Sequence, residues 1–249
     1  MYELTVSTSK AKSSDINFLV NKLRQPLKTL RGIMVCEESD SRVNLAIAVD
    51  DNKKDYALGV IFDAVCEVII RSYKYDFLKK NLQINIASPV TECAFIRALT
   101  MFDKQNDKQL IKKHLKPNGQ ILLDSLYHFR LWELEKRWKD TADIVSQNSS
   151  YLLAQGSFME LMRFLIMTNE SETGEVHVKT QDNRIFACLK EGKELFTFDY
   201  KENDDNNIKV LSELICLAPE KIVLYQDLDG SELSKYIFSL FDGKVSVVK

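Results

Sequence analysis

The chain has 249 residues, 45% of them hydrophobic and 28% charged, which excludes a disordered chain and allows a core that needs no staples. Its 34 basic and 36 acidic residues leave a net charge of −2, so nothing global draws it to nucleic acid or to an anionic membrane. The five cysteines, Cys36, Cys66, Cys93, Cys188 and Cys216, contain no CxxC pair and sit mostly among apolar neighbours, which fits a reducing compartment.

The first residues lack the basic region and the continuous apolar stretch of a signal peptide. Tyr2, Leu4 and Val6 repeat with a period of two and predict an opening strand. Ser13, Ser14 and Asp15 predict a helix cap ahead of Ile16, Leu19, Val20, Leu23, Leu27 and Leu30, with a kink or a split at Pro26. Strands follow over residues 33–36 and 43–49. Residues 56–70 are almost wholly apolar, but Asp63 and Glu67 would be expensive inside a bilayer. With Arg71 these carboxylates recur every four residues, which predicts a buried helix with one wet stripe and Glu67 ordered to pair with Arg71.

Helical patterns then cover residues 90–114, 122–145 and 151–167, with Pro117-Asn118-Gly119 as a turn. Short strands at 176–178, 185–189 and 195–198, separated by Asp182-Asn183 and Glu191-Gly192, predict a meander. The polar stretch 201–207 reads as a mobile loop. A helix (208–217), a strand (222–225), a helix (231–241) and a strand (245–248) close the chain. The fold class is α+β, with short strands and helices at both ends of the chain and a helical middle segment. The segments are 1–88, 89–170 and 171–249, or one compact unit containing all three.

Residues 222–231, an apolar strand running into Asp227-Leu228-Asp229-Gly230-Ser231, resemble the opening motif of the haloacid-dehalogenase-like phosphohydrolases. That resemblance implies a nucleophile at Asp227, a general acid/base at Asp229 and a Mg²⁺ ion. Only residues 232–249 follow, too few for that family's later lysine and acidic ligands, and a strand-to-helix turn with Asp229 or Ser231 as the cap accounts for the same residues. Alternation puts Glu175, His177 and Lys179 on one strand face and Val176 and Val178 on the other. No histidine or cysteine spacing describes a metal site, and the glycines form no phosphate-binding loop. Lys112, Lys113, His114 and Lys116 read as the last turn of a helix, where cations meet the negative end of the dipole; phosphate contact is the rival reading.

At 100° per residue Leu123, Tyr127, Leu131, Leu134, Trp138 and Val145 fall on one stripe, and Leu122, Leu126 and Phe129 form a second apolar patch. Arg130 lies between the two patches, which predicts a structural arginine paired inside the fold. Trp132 lies away from the stripe, so it points outward as an interface anchor or is covered by a further layer.

Residues 122–131, Leu-Leu-Asp-Ser-Leu-Tyr-His-Phe-Arg-Leu, resemble the signature of the YtxC-like sporulation proteins of endospore-forming bacteria: a leucine, an acidic residue, then Gly-Phe-x-Asn-Phe-Arg-Leu. Residues 158–165, 175–178 and 217–224 are similar to that family's later segments. Ser125, Leu126 and His128 depart from the signature, whereas Phe129 and Arg130 retain it. The resemblance implies a cytoplasmic role in sporulation and supplies no catalytic residues.

The reading that follows is a non-catalytic interaction or regulatory factor with a protein partner, no cofactor, no metal and no membrane. Its candidate anchors are Trp132 and Tyr236, with Phe129 and Arg130 as candidate structural or interaction residues, and its surface lies in the C-terminal half. The rivals are a Mg²⁺-dependent phosphoryl hydrolase on Asp227 and Asp229, and a nucleic-acid binder using Lys112, Lys113 and Lys116.

Overall fold

The computed structural model describes residues 1–153, 157–171, 173–199 and 203–248. They form an α+β fold in two compact units, Met1–Asn81 with Lys104–Thr141, and Leu82–Asp103 with Ala142–Lys249. The division expected at 88/89 and 170/171 follows chain order; each observed unit is instead assembled from two separated stretches.

In the first unit β1 (Tyr2–Ser9) pairs antiparallel with β3 (Arg42–Val49), and β3 with β2 (Ile33–Glu38). On its other side β1 takes a short parallel strand, β4 (Gln120–Leu122), giving the order β2-β3-β1-β4. The period of two turns Leu4, Val6, Leu45 and Ile47 inward, where they are buried with Leu19 and Leu23 of α1 (Ser13–Thr29). Gly32 joins α1 to β2, and a Cβ there would lie 2.9 Å from Val49 Cγ1 and 3.2 Å from the Ala48 carbonyl oxygen, so no larger residue fits without a shift.

Two expectations for α1 are corrected. Pro26 neither splits nor ends it, because it lies in the last turn, where Leu30 N–H still reaches the Pro26 carbonyl at 3.2 Å. Ser13 and Asp15 do not cap it: a 3₁₀ turn, Lys10–Lys12, feeds directly into the helix, and Asp15 is buried and accepts from the Ser72 hydroxyl at 3.3 Å.

The apolar helix is α2 (Lys54–Val68). It passes through a six-residue π-helical turn, Ile69–Lys74, into α3 (Tyr75–Asn81). Its stripe is not wet throughout, since Glu67 is buried and meets Lys22 of α1 at 3.0 Å and Lys108 at 3.7 Å. The expected helix over 90–114 is two helices, α4 (Pro89–Met101) and α5 (Lys104–His114). Phe102 leaves the helical region at ψ 135°, and Asp103 sits at φ +60°. Likewise 122–145 divides into α6 (Leu123–Arg130) and α7 (Trp132–Gln147) at Leu131, whose φ of −107° and ψ of 25° are not helical.

The second unit holds α4, α8 (Ser149–Leu153), α9 (Ser157–Met167) and a five-stranded mixed sheet of order β7-β6-β5-β8-β9. The meander is present as β5 (Thr173–Gln181), β6 (Arg184–Leu189) and β7 (Glu194–Asp199). Asp182 and Asn183 both take positive φ, which is what a two-residue hairpin loop demands. Next come α10 (Asp204–Leu217), β8 (Pro219–Tyr225), α11 (Glu232–Leu240) and β9 (Val245–Val248). β8 runs parallel to both β5 and β9. Val176, Val178, Ile222 and Leu224 of the sheet are buried with Val210 and Leu214 of α10 and Ile237 of α11.

Of the stretch expected as a mobile loop, residues 201 and 202 lie outside the described residues. The rest opens α10: the Asn203 side chain accepts from Asn206 N–H at 2.9 Å, and Asn206 and Asn207 are buried. No helix among the described residues is long and apolar enough to cross a membrane.

Candidate functional site

The signature stretch builds α6 and the strand before it. Leu123, Leu126 and Tyr127 are buried and form the inner face of the helix. Asp124, in its first turn, accepts the Ser9 backbone N–H at 2.8 Å and the Tyr73 hydroxyl at 2.9 Å, and meets Arg42 Nη2 at 3.4 Å. Arg42 in turn donates through Nε to the Ser7 hydroxyl at 2.8 Å. One carboxylate therefore ties the start of α6 to β1, β3 and the π-helical turn. Sequence reasoning missed it, although an acidic residue at this place is part of the signature.

Phe129 and Arg130 are placed differently from expectation. Phe129 is 80% exposed, and Arg130 is exposed with no carboxylate or carbonyl partner among the described residues. Arg130 is therefore not a structural arginine. The prediction continued the helix through Leu131, whereas α6 ends at Arg130; Leu126 of the second patch is buried, but no layer covers Phe129 in the last turn. The main stripe survives, because Leu123, Tyr127, Leu131, Leu134, Trp138 and Val145 are all buried. Trp132, two residues past Arg130, is 66% exposed, which decides its open alternatives in favour of the outward one.

Phe129 and Arg130 line a cleft of about 310 Å³ with Ser125 and Leu126 of α6, residues 120–122 of β4, and His114, Leu115, Lys116 and Asn118. The floor is apolar and the rim carries Lys116, Arg130 and the His114 imidazole; no carboxylate is among the lining residues. The basic run is thereby divided. Lys112 turns to α2 and meets Asp63 at 2.5 Å, while His114 and Lys116 face the cleft. A second cleft, of about 520 Å³, holds Lys22, Asp63, Glu67, Lys108 and Lys112, whose charges pair with one another.

Asp227, Ser231, His177 and Tyr236 each have a hydrogen-bond partner within the fold. Asp227 Oδ2 accepts from the Thr180 backbone N–H at 2.5 Å and from the Thr180 hydroxyl. Ser231 caps α11 by accepting from Ser234 N–H at 3.1 Å, so the Asp-Leu-Asp-Gly-Ser run is a strand-to-helix turn with Gly230 at φ +81°. His177 meets Glu175 through Nε2 at 2.9 Å and the Tyr225 hydroxyl through Nδ1 at 3.2 Å, on the face alternation assigned to it. The Tyr236 side chain is half-buried, with its hydroxyl 3.5 Å from that of Ser88, the cap of α4, so it is not a free anchor. Among the described residues no group of three or more His, Cys, Asp or Glu could hold a metal ion. Burial pushes the Cys66 thiol up to about 12, away from any nucleophilic role.

In comparison with known proteins, the family model of the YtxC-like family matches residues 60–246, beginning already in α2. No curated protein and no solved structure matches the chain.

Proposed function

Because the chain belongs to the YtxC-like family, we propose that it serves sporulation from the cytoplasm as a non-catalytic protein-interaction factor. The observation that carries this is the exposure of Phe129 and Arg130 in the last turn of a helix whose earlier turns are anchored in the core by Leu123, Leu126 and Tyr127. Neither side chain contributes to the interior, yet both belong to the signature. Burying a phenyl group that stands in water gains roughly 25 cal/mol per Å² of apolar surface, a gain that this chain leaves for a partner. Aromatic and arginine side chains are the types that dominate binding energy in interfaces, and exposed Trp132 adds a third. Five cysteines present as thiols support a reducing compartment.

The test is a photo-crosslinking phenylalanine analogue at position 129 in sporulating cells. A discrete protein adduct is expected, lost when Arg130→Glu is added, while that substitution changes the stability of the purified protein by less than about 0.5 kcal/mol, as for a surface site. The reading fails if position 129 gives no adduct, or the same adducts as the exposed Lys139 on α7.

A further inference from the structure

β4 ends its sheet, with β1 on one side and no strand on the other among the described residues. Thr5 N–H donates to the Gly119 carbonyl at 2.9 Å, so the backbone groups of residues 119 and 121 face β1. Those of Gln120, one residue out of phase, face the open side. The same strand forms a wall of the cleft, with Leu126, Phe129 and Arg130 of α6 and the Lys116 and His114 side chains around it. An open strand edge, an apolar floor and cations without a carboxylate thus occur together.

We infer that this cleft takes an extended, acidic segment of a partner protein laid along β4, a reading that rests on the interaction role above. The segment's backbone pairs with that of Gln120, as in recognition by strand addition. One of its carboxylates meets Arg130 and Lys116, where bidentate geometry at the guanidinium strengthens the contact. The neighbouring apolar side chain lies against Phe129 and Leu126. A small inorganic anion would leave the apolar floor and the strand edge unused. A nucleic-acid strand needs a track of phosphate contacts, and Lys112, which would extend one, is already held by Asp63.

The probe is a short peptide alternating Val and Glu, titrated into the isotope-labelled full chain and followed by amide shifts. The shifts are expected at residues 119–130. Affinity is expected to fall about tenfold for the Val/Gln peptide and about tenfold for Arg130→Met, as loss of one charge-assisted contact implies. A peptide N-methylated at alternate positions is expected to bind more weakly, since it cannot pair with a strand edge. Equal affinity of the Glu and Gln peptides, indifference to N-methylation, or tighter binding of a single-stranded oligonucleotide each overturns the inference. If the peptide fails while the adduct from position 129 persists, the occupant is wrong and the interaction role stands; if both fail, both fall.

Discussion

Asp124 gathers bonds from three separate elements onto one side chain, so its loss strands several buried or half-buried donors together. Asp124→Ala leaves the Tyr73 hydroxyl, Ser9 N–H and Arg42 without their shared acceptor and is expected to cost about 2–3 kcal/mol, measured by urea unfolding. Asp15 acts in the opposite sense. It is buried beside Ser72, and burial pushes its carboxyl up from 3.8 to about 6; Lys12 opposes the shift, and Asp76 and Asp124 reinforce it. The folded chain therefore holds a proton that the unfolded chain releases, and this residue lowers stability as pH rises from about 4 to about 6. Asp15→Asn is expected to raise Tm at neutral pH and to leave it unchanged below about pH 4, by calorimetry across that range.

Among the elements, the π-helical turn sets three successive side chains against three carboxylates: Ser72 on Asp15, Tyr73 on Asp124 and Lys74 on Asp107. The Lys74 pair is the deepest, at 2.7 Å with both side chains buried, and Trp138 Nε1 donates to the same Asp107 oxygen at 3.2 Å. Lys74→Met leaves Asp107 buried without its cation, which is expected to cost about 3–5 kcal/mol, whereas Lys74→Met with Asp107→Leu recovers most of that loss. Denaturant midpoints of the single and double variants decide it. The two tryptophans lie on one helix, α7, six residues and so about 240° apart around it, which puts them on different faces. Trp132 is 66% exposed and Trp138 2% exposed, so iodide is expected to quench one component of the emission, which Trp132→Phe removes and Trp138→Phe does not.

For the whole molecule, the first unit closes only when residues 104–141 return to it, bringing β4, Asp107 and Asp124. A fragment of residues 1–88 leaves Lys74 and Tyr73 without their carboxylates and β1 without its parallel neighbour. It is expected to melt without a cooperative transition by circular dichroism, while the full chain melts cooperatively. The converse segmentation, a self-contained helical middle, has no counterpart, since α4 belongs to one unit and α5 and α6 to the other.

Periodicity alone determined the α+β class, the inward faces of β1, β3 and β5, and the buried stripe from Leu123 to Val145, because apolar spacing follows from backbone geometry that each element carries with it. The Asp182-Asn183 hairpin was legible for the same local reason. Partners were not. Nothing near Glu67 in the chain announces Lys22 or Lys108, and nothing near Gln120 announces a strand beside Thr5. Phe129 and Arg130 are exposed because α6 ends at Arg130 and no layer covers its last turn, which apolar spacing within the helix does not reveal. The candidate site lies within residues 114–130, close together in sequence; tertiary structure decided only its form, since pairing with distant β1 makes residues 120–122 a strand with one open edge.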